Sequence, residues 1–521
     1  MAEWTTLPYD VHLIILNMAF AQLTAPEEHQ AVGGPLKRTH GLMPSHALVC
    51  RDWFKFFERE TYRAIFVTQA SLDNISRFTR RQRSMVRYLW VKIDLFSYGC
   101  PDCAVDSFQS LPLRRKVNAS LIAYTIRRTL NLLSSWDTEQ GPEAPGLTLE
   151  FSACSPSDME HVFHNDLHFD TSPFDVEGPL ERNRPDLSIL GHGWIRGRRI
   201  FPHRLASIDL VAGFSSMPLD ELPAVPAVTN FVVRRQTRWH FGPSALAKVV
   251  QKLPGLRRVL IESWRQFHWF PQKGSYRGDN AVETDIATTL FDSLPDTVQS
   301  LTMFEDFNED YNFMFHKFPR VREWDAPAEL VRTPAVLVGR ALARRSQRLQ
   351  SLNASYMVDA RDFFSEAVKP GYSWDHLTVL SLTSRHLNSS SEDTVIHQML
   401  ANAGRVALKM PALTRLDIWN GTKGNVCGFR YEVTWRQASI EWHSNRLLSL
   451  SADVVRAWER AAYRHTGGGG LLVKDPRIVR NKYIRSHATA MEILGLQDQV
   501  LHPVSFRQIA CETSRYWFKH Y

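Results

Sequence analysis

The chain has 521 residues, 44% of them hydrophobic, with 62 basic against 54 acidic side chains and a net charge of +8. That length and composition imply a large buried core, in several domains or one elongated repeat domain, and exclude a wholly disordered chain. The charge excess is mild for the size and permits acidic partners without demanding them, while six cysteines are too few for a disulfide framework and point to reduced thiols.

At the N-terminus, Met1-Ala2-Glu3-Trp4 lacks a basic n-region, and His12, Asn17 and Gln22 interrupt the first apolar run, so neither secretion nor membrane insertion is expected. Leu7-Pro8 sets a proline at a helix start, where its missing N–H costs nothing, and Asp10 suits the positive end of the helix dipole. Val11, Ile14, Ile15, Met18 and Ala19 recur at three- and four-residue steps and draw one apolar stripe on a helix running to about Leu23. Its expected partner is a second helical block with Leu48, Val49, Trp53, Phe56 and Phe57, reached through a loop from Thr24 to Pro44 rich in Gly, Pro and charge. Arg63 to Val67 reads as a strand leaving this module.

In Leu7, Pro8, Asp10, Val11, Ile15, Leu16, Val49, Cys50, Arg51 and Trp53 the module resembles an F-box; His12 stands where an aliphatic residue is usual. The resemblance implies attachment to the Skp-type adaptor of a cullin ubiquitin ligase, with Leu7, Pro8, Val11, Ile15, Leu16, Val49, Cys50 and Trp53 as the adaptor-binding residues.

Between Phe78 and Trp136 the pattern predicts a strand (Val86 to Leu95), a loop with Cys100 and Cys103, and a long helix carrying Leu121, Ile122, Ile126, Leu130 and Leu133. Ser155 to Arg199, dense in Pro, Gly, Asp, His and Arg, reads as an excursion over the surface. Cys100-Pro-Asp-Cys103 has the spacing of a zinc knuckle but lacks a second pair, and His161 and His164 begin 58 residues further on. No metal is expected there.

A motif of apolar, two variable, apolar, one variable, apolar then recurs from Leu205, Val228, Leu256, Val298, Leu349, Leu377 and Leu413, with a degenerate copy at Val321-Arg-Glu-Trp324. Steps of 23 residues (205 to 228, 298 to 321) and 28 residues (228 to 256, 321 to 349, 349 to 377) match the period of leucine-rich repeats. Leu253-Pro254, Leu294-Pro295, Phe318-Pro319 and Met410-Pro411 punctuate the copies, and helical spacing lies between them at Leu246, Val249, Val250 and Leu253, at Ile286, Leu290, Phe291 and Leu294, and at Val395, Ile396, Met399 and Leu400. Alternating strand and helix of this kind stack into a solenoid with a parallel sheet on one side. An ordinary α/β domain with short apolar strands is the alternative. Beyond the repeats, Phe429, Tyr431, Val433 and Trp435 alternate with polar residues, and Ile440 and Trp442 continue after a turn, which predicts a hairpin followed by a helix over Asp453 to Arg464.

Chemistry is sparse. Gly467 to Gly470 leads into an apolar strand rather than a Lys-Ser/Thr pair, so it reads as a connector, and no nucleophile elbow, zincin or dinucleotide motif is present. The clusters Arg80, Arg81, Arg83 and Arg87; Arg234, Arg235 and Arg238; and Arg340, Arg344, Arg345 and Arg348 are interspersed with acids, and the last reads as a solvated helix face opposite Val336, Val338 and Leu342. Nucleic-acid binding is therefore not expected.

The reading is an α/β fold (α+β repeat): an F-box-like helical module over 1–66, an irregular leucine-rich-repeat-like solenoid over 67–425, and a β-hairpin and helix cap over 426–521. The whole resembles filamentous-fungal F-box-like proteins with leucine-rich-repeat-like receptor domains. It implies a non-enzymatic, cytoplasmic or nuclear substrate receptor without cofactor, holding the Skp-type adaptor and cullin ligase at one end and an unknown target protein at the other; a scaffold without any ligase role is the alternative. If Leu380 and Leu382 point into the core, Val379, Ser381 and Thr383 face the other way. The same alternation is expected to expose Arg258, Glu262, Asn353, Ser355, Arg415, Asp417 and Trp419, of which Arg258, Glu262, Asn353, Arg415, Asp417 and Trp419 are the candidate target-binding residues.

Overall fold

The computed structural model describes Trp4 and residues 7–24, 43–97, 111–136, 146–159, 172–174, 194–195, 198–199, 213–214, 217–237, 240–264, 286–307 and 334–513. Cys100, Cys103, His161, His164, the Leu205 copy and the Val321 copy lie outside them.

Three helices, α1 (Tyr9–Thr24), α2 (Met43–Ala47) and α3 (Arg51–Arg63), run into β1 (Ala64–Thr68). Short helical turns at Leu72–Ser76 and Arg80–Met85 lead to β2 (Tyr88–Asp94), the long α4 (Leu111–Leu133) and β3 (Leu147–Cys154). There follow β4 (Val228–Val233), α5 (Pro243–Val250), β5 (Arg258–Trp264), a helical turn over Ile286–Ser293 and β6 (Ser300–Asp306). Then come α6 (Val336–Arg345), β7 (Ser351–Ser355), α7 (Ala360–Ala367), β8 (Val379–Thr383), α8 (Asp393–Ala407) and β9 (Arg415–Thr422). A meander of β10 (Asn425–Thr434) and β11 (Gln437–Ser444), then α9 (Ala452–His465), β12 (Leu471–Val473), β13 (Arg477–Ile478), α10 (His487–Leu494) and α11 (Pro503–Thr513) complete the order.

The result is a mixed α/β protein built on one open 13-stranded sheet. From β1 to β9 every strand pairs in parallel with the next in chain order; β9, β10 and β11 are antiparallel, and β12 and β13 both pair with β11. The six described motif copies coincide with β4 to β9. In each after the first, the second residue donates its N–H to the carbonyl of the second residue in the preceding copy: Arg257 to Thr229, Gln299 to Arg257, Gln350 to Gln299, Thr378 to Gln350 and Thr414 to Thr378, at 2.7–2.9 Å. The motif therefore marks one backbone position that recurs in successive units. β3, with its apolar Leu147, Leu149 and Phe151, lies outside that motif and outside the expectation.

One face of the sheet carries the apolar alternate residues, among them Phe231, Val259, Leu301, Leu352, Leu380, Leu416 and Tyr431, and packs on α4 to α9 in a continuous core. Pro243 at the first turn of α5 and the Asp359 side chain, which accepts from Arg361 N–H at the start of α7, fix two of these helices. On α6, Val338 and Leu342 are buried but Val336 is exposed, because it lies four and eight residues before Arg340 and Arg344 on the same outward side of the helix. Trp435 also departs from the expected alternation: it forms the β10–β11 turn with φ of 53° and is 92% exposed.

The other face is where expectation and structure differ most. Ser381 and Thr383 do point away from the core, as alternation requires, yet they are buried. So are Glu262, Asn353, Ser355, Asp417 and Trp419; Arg258 is exposed and Arg415 half-buried. The cause is residues 484–511, which return along this face and cover it from β10 back to β4. The expected open receptor face at Glu262, Asn353, Asp417 and Trp419 is thus an internal seam.

Candidate functional site

Two places concentrate chemistry: the N-terminal helices and the covered seam. In the first, α1 and α3 share a small core of Leu16, Phe56 and Phe57, ringed by Trp4, Ala19, Phe20, Ala47 and Trp53. His12 belongs to this ring, stacked on Trp4 with centroids 4.2 Å apart, which accounts for an aromatic at an aliphatic position. Trp53 stacks on Phe57 and on His46. Of the expected adaptor residues, Leu16 is buried; Leu7, Val11, Ile15, Cys50 and Trp53 are half-buried; Pro8 and Val49 are exposed. The stripe does not close on the second block as expected. Ile14, Met18, Leu48 and Val49 are 58–84% exposed, and Tyr9 and Phe54 are exposed with them. The helix pair buries its Leu16 side and leaves an apolar surface toward solvent. Scattered apolar residues are ordinary on a surface; here six of them lie on one small module.

In the seam, the ends of strands β3 to β6 converge on fully buried charges. Glu150 accepts from Arg234 Nε at 2.7 Å and from Tyr88 Oη at 2.5 Å, and the Arg234 guanidinium lies 5.3 Å from the Trp90 ring. Arg235 Nε bonds to Asp306 at 2.5 Å, its guanidinium lies 4.7 Å from the Trp264 ring, and its backbone N–H donates to Glu262 at 2.9 Å. The C-terminal segment supplies further partners. His487 Nε2 meets Asp306 at 3.2 Å, His502 N–H and Ser505 Oγ–H donate to Glu262 at 2.6 and 2.5 Å, and Gln508 meets Arg235 at 3.4 Å. Further along, Gln499 bonds to Asn353 and Asp417, while Arg415 and Arg430 clamp Asp417 at 2.7 and 2.6 Å and reach the carbonyls of Gly495 and Leu494.

Each carboxylate answers differently to this setting. Burial raises the pKa of Glu150 against the pull of Arg234, and burial raises Glu262, whose donors are all uncharged. At Asp306 burial also pushes upward, but the Arg235 charge and the His487 bond outweigh it and hold the carboxyl below its usual range. Breaking one partner of such a buried pair typically costs about 3–5 kcal/mol, because the other charge is left unpaired. Apolar packing surrounds the network: Phe304, Phe307, Tyr356 and Trp419 meet Ala488, Met491 and Leu494. Tyr356 sits at φ of 66°, held by its N–H to Thr383 Oγ1 at 2.7 Å and its hydroxyl to the Gly421 carbonyl at 2.8 Å.

Arg234 and Arg235, read from sequence as a basic cluster, therefore face no solvent. Glu150, Asp306, His487 and Ser505 escaped the sequence reading altogether. The one available signal was a lone carboxylate inside an apolar strand, as in Leu-Thr-Leu-Glu150-Phe or Val-Leu-Ile-Glu262, since a strand buried on both faces tolerates a charge only when it is paired. Among the described residues no group of three or more His, Cys, Asp and Glu is placed to hold a metal ion, and no helix is long and apolar enough to cross a membrane. The arrangement clamps the C-terminal segment onto the strands.

A model of a family of unknown function (DUF6546) matches residues 293–502, from the turn before β6 through the meander and into the returning C-terminal segment. The matched stretch contains Asp306, His487, Gln499 and His502. None of the curated proteins matches the chain.

Proposed function

We propose that the chain is a substrate-receptor subunit of an SCF-type cullin ubiquitin ligase, with residues 1–66 as an F-box-like module that binds the Skp-type adaptor and the strand–helix repeats as a leucine-rich-repeat-like solenoid that holds a target protein. The observation that carries this reading is the apolar surface of the N-terminal helices: Ile14, Met18, Leu48 and Val49 are exposed while Leu16, Phe56 and Phe57 give the module its own core. A module serving only to cap the repeats would turn that stripe inward. The recurring backbone bond between successive motif copies supports the repeat reading. Such a receptor does no chemistry; it raises the local concentration of target lysines near the ligase's ubiquitin carrier, in the cytoplasm or nucleus.

Met18→Asp combined with Val49→Asp tests the adaptor contact without touching the module's core, which Trp53→Ala would disturb. The pair should leave the thermal midpoint unchanged and abolish co-purification with a Skp-type adaptor. Undiminished co-purification by the folded variant would show that this apolar surface is not the adaptor contact, and failure of the unmodified chain to co-purify with the adaptor would favour the scaffold without a ligase role.

A further inference from the structure

We propose that the outer edge formed by β12 and β13 is a docking site for an extended acidic segment of a partner protein, which joins the sheet there as one more strand. β12 and β13 follow each other along β11, Leu471–Val473 beside Ala438–Ile440 and Arg477–Ile478 beside His443–Ser444. Lys474 N–H bonds inward to the Ile440 carbonyl, so strand alternation turns the amide and carbonyl of Val473 outward. Among the described residues no further strand pairs with that edge.

The side chains along it are those of an interface. Leu472, Val473, Ile478 and Tyr483 are exposed, and Trp435 stands at the near end, where the β10–β11 turn touches the glycine run: a Cβ on Gly469 would lie 2.2 Å from the Arg436 carbonyl. Tryptophan, tyrosine and arginine are the residue types that dominate binding hot spots. Charge then selects the partner. Residues 471–485 contain Lys474, Arg477, Arg480, Lys482 and Arg485 against Asp475 alone. Lys474 and Arg477 share Glu441 at 3.6 and 2.6 Å, whereas Arg480 and Arg485 are exposed and make no ion pair among the described residues.

Pro476, the shortness of both strands and the cations are also the usual defences of an open edge. They act against a second copy of this chain, which would bring the same charges, and against strands of neutral sequence; an acidic strand escapes that repulsion and gains from it. An anionic lipid surface or a nucleic acid would meet the cations, and its phosphates could accept from the Val473 N–H, but neither offers an extended backbone that pairs with both the N–H and the carbonyl of Val473. The inference does not rest on the adaptor contact, and it succeeds or fails independently of that reading.

Fluorescence anisotropy with a short labelled peptide of alternating Glu and Val, and with its Lys-for-Glu counterpart, tests it on the full chain. The acidic peptide should bind saturably and at least about tenfold tighter than the basic one, and Arg480→Glu with Lys482→Glu should weaken it by about tenfold. Val473→Pro removes the outward donor together with the valine side chain and should do the same, while hydrogen exchange at the Val473 amide should slow when the peptide is bound. Equal affinity for the two peptides, no effect of the charge reversals, or an unprotected Val473 amide would overturn the proposal. So would phosphatidylserine vesicles or duplex DNA binding tighter than the acidic peptide through the same cations, or a concentration-dependent dimer that itself protects Val473. Should Val473→Pro fail to fold, the exposed charge pair and the exchange measurement decide the matter.

Discussion

His502 shows how a single side chain ties the seam to pH. It opens α11 with Nδ1 accepting from the Val504 N–H at 3.2 Å, while its own N–H donates to Glu262. A protonated ring has no lone pair at Nδ1, so that bond exists only with neutral imidazole. Burial, and then the nearby Arg234 charge, lower its pKa from 6.5 to about 3. The unfolded chain therefore takes up the proton first. Stability from this residue is complete above the unfolded value and declines as pH falls toward 3, by up to about 1.4 kcal/mol per pH unit. Asp306 acts in the same direction at lower pH, since its depressed pKa gives stability above the unfolded value that is lost on acidification through the folded one. Glu150 and Glu262 oppose them: their pKa values are raised, so the folded state gains relative to the unfolded as pH falls. His502→Asn separates the contributions, because asparagine still accepts at a helix start and does not titrate. Urea midpoints between pH 7 and 4.5 should fall less steeply for the variant; parallel slopes would assign the acid lability elsewhere. Nothing in the local sequence announces these roles. Arg234 and Arg235 look like any basic pair, and Glu150, Asp306 and His487 acquire meaning only through contacts spanning 84, 71 and 181 residues.

Elements facing the helix layer were legible where burial on that side imposes a clear period: the motif copies, α5, α8, the hairpin and α9 follow from apolar spacing, whereas the short α7, with Phe363 and Phe364 adjacent, was not read. The opposite face was misread because polar alternate residues such as Asn353 and Asp417 look solvated whether water or a second polar segment satisfies them. What lets α10 settle there is small residues rather than large ones. A Cβ on Gly421 would stand 2.3 Å from Ala490 Cβ, and one on Gly428 would meet Leu494 Cδ2 at 2.7 Å, so helix and strands approach closely where β9 and β10 carry glycine. Leu494 can yield as a flexible chain end; Ala490 cannot. Gly421→Ala should accordingly destabilise the protein by about 1–3 kcal/mol as an overpacked contact. Ala490→Gly alone should cost about 1 kcal/mol of helix propensity, yet in combination it reopens the space, so the double variant should be more stable than the sum of the two. Strict additivity in urea unfolding would mean that α10 does not rest on Gly421.

At the scale of the whole molecule, a stack in which each strand touches only its neighbours can open piecemeal, since its stability is close to a sum of units and adjacent interfaces. The returning segment changes that connectivity. Through the Leu494 carbonyl on Arg430 of β10, Gln499 on Asp417 and Asn353, His487 on Asp306, His502 and Ser505 on Glu262, and Gln508 on Arg235, one stretch of chain touches five strands and the turn that follows a sixth. Among the described residues α1 packs on α3, with which it shares the core of Leu16, Phe56 and Phe57. Two cooperative units follow, a small one over α1 to α3 and a large one from β4 to β11. Native-state hydrogen exchange should show the amides of α1 and α3 opening at lower free energy than those of β5, β7 and β9, which should share one opening. Leu380→Ala, whose buried side chain is worth about 2–5 kcal/mol on truncation, should lower the opening energy of β5 and β10 as much as that of β8, while leaving α1 and α3 unchanged. Loss confined to β7, β8 and β9 would show that the seam follows the stack without coupling it.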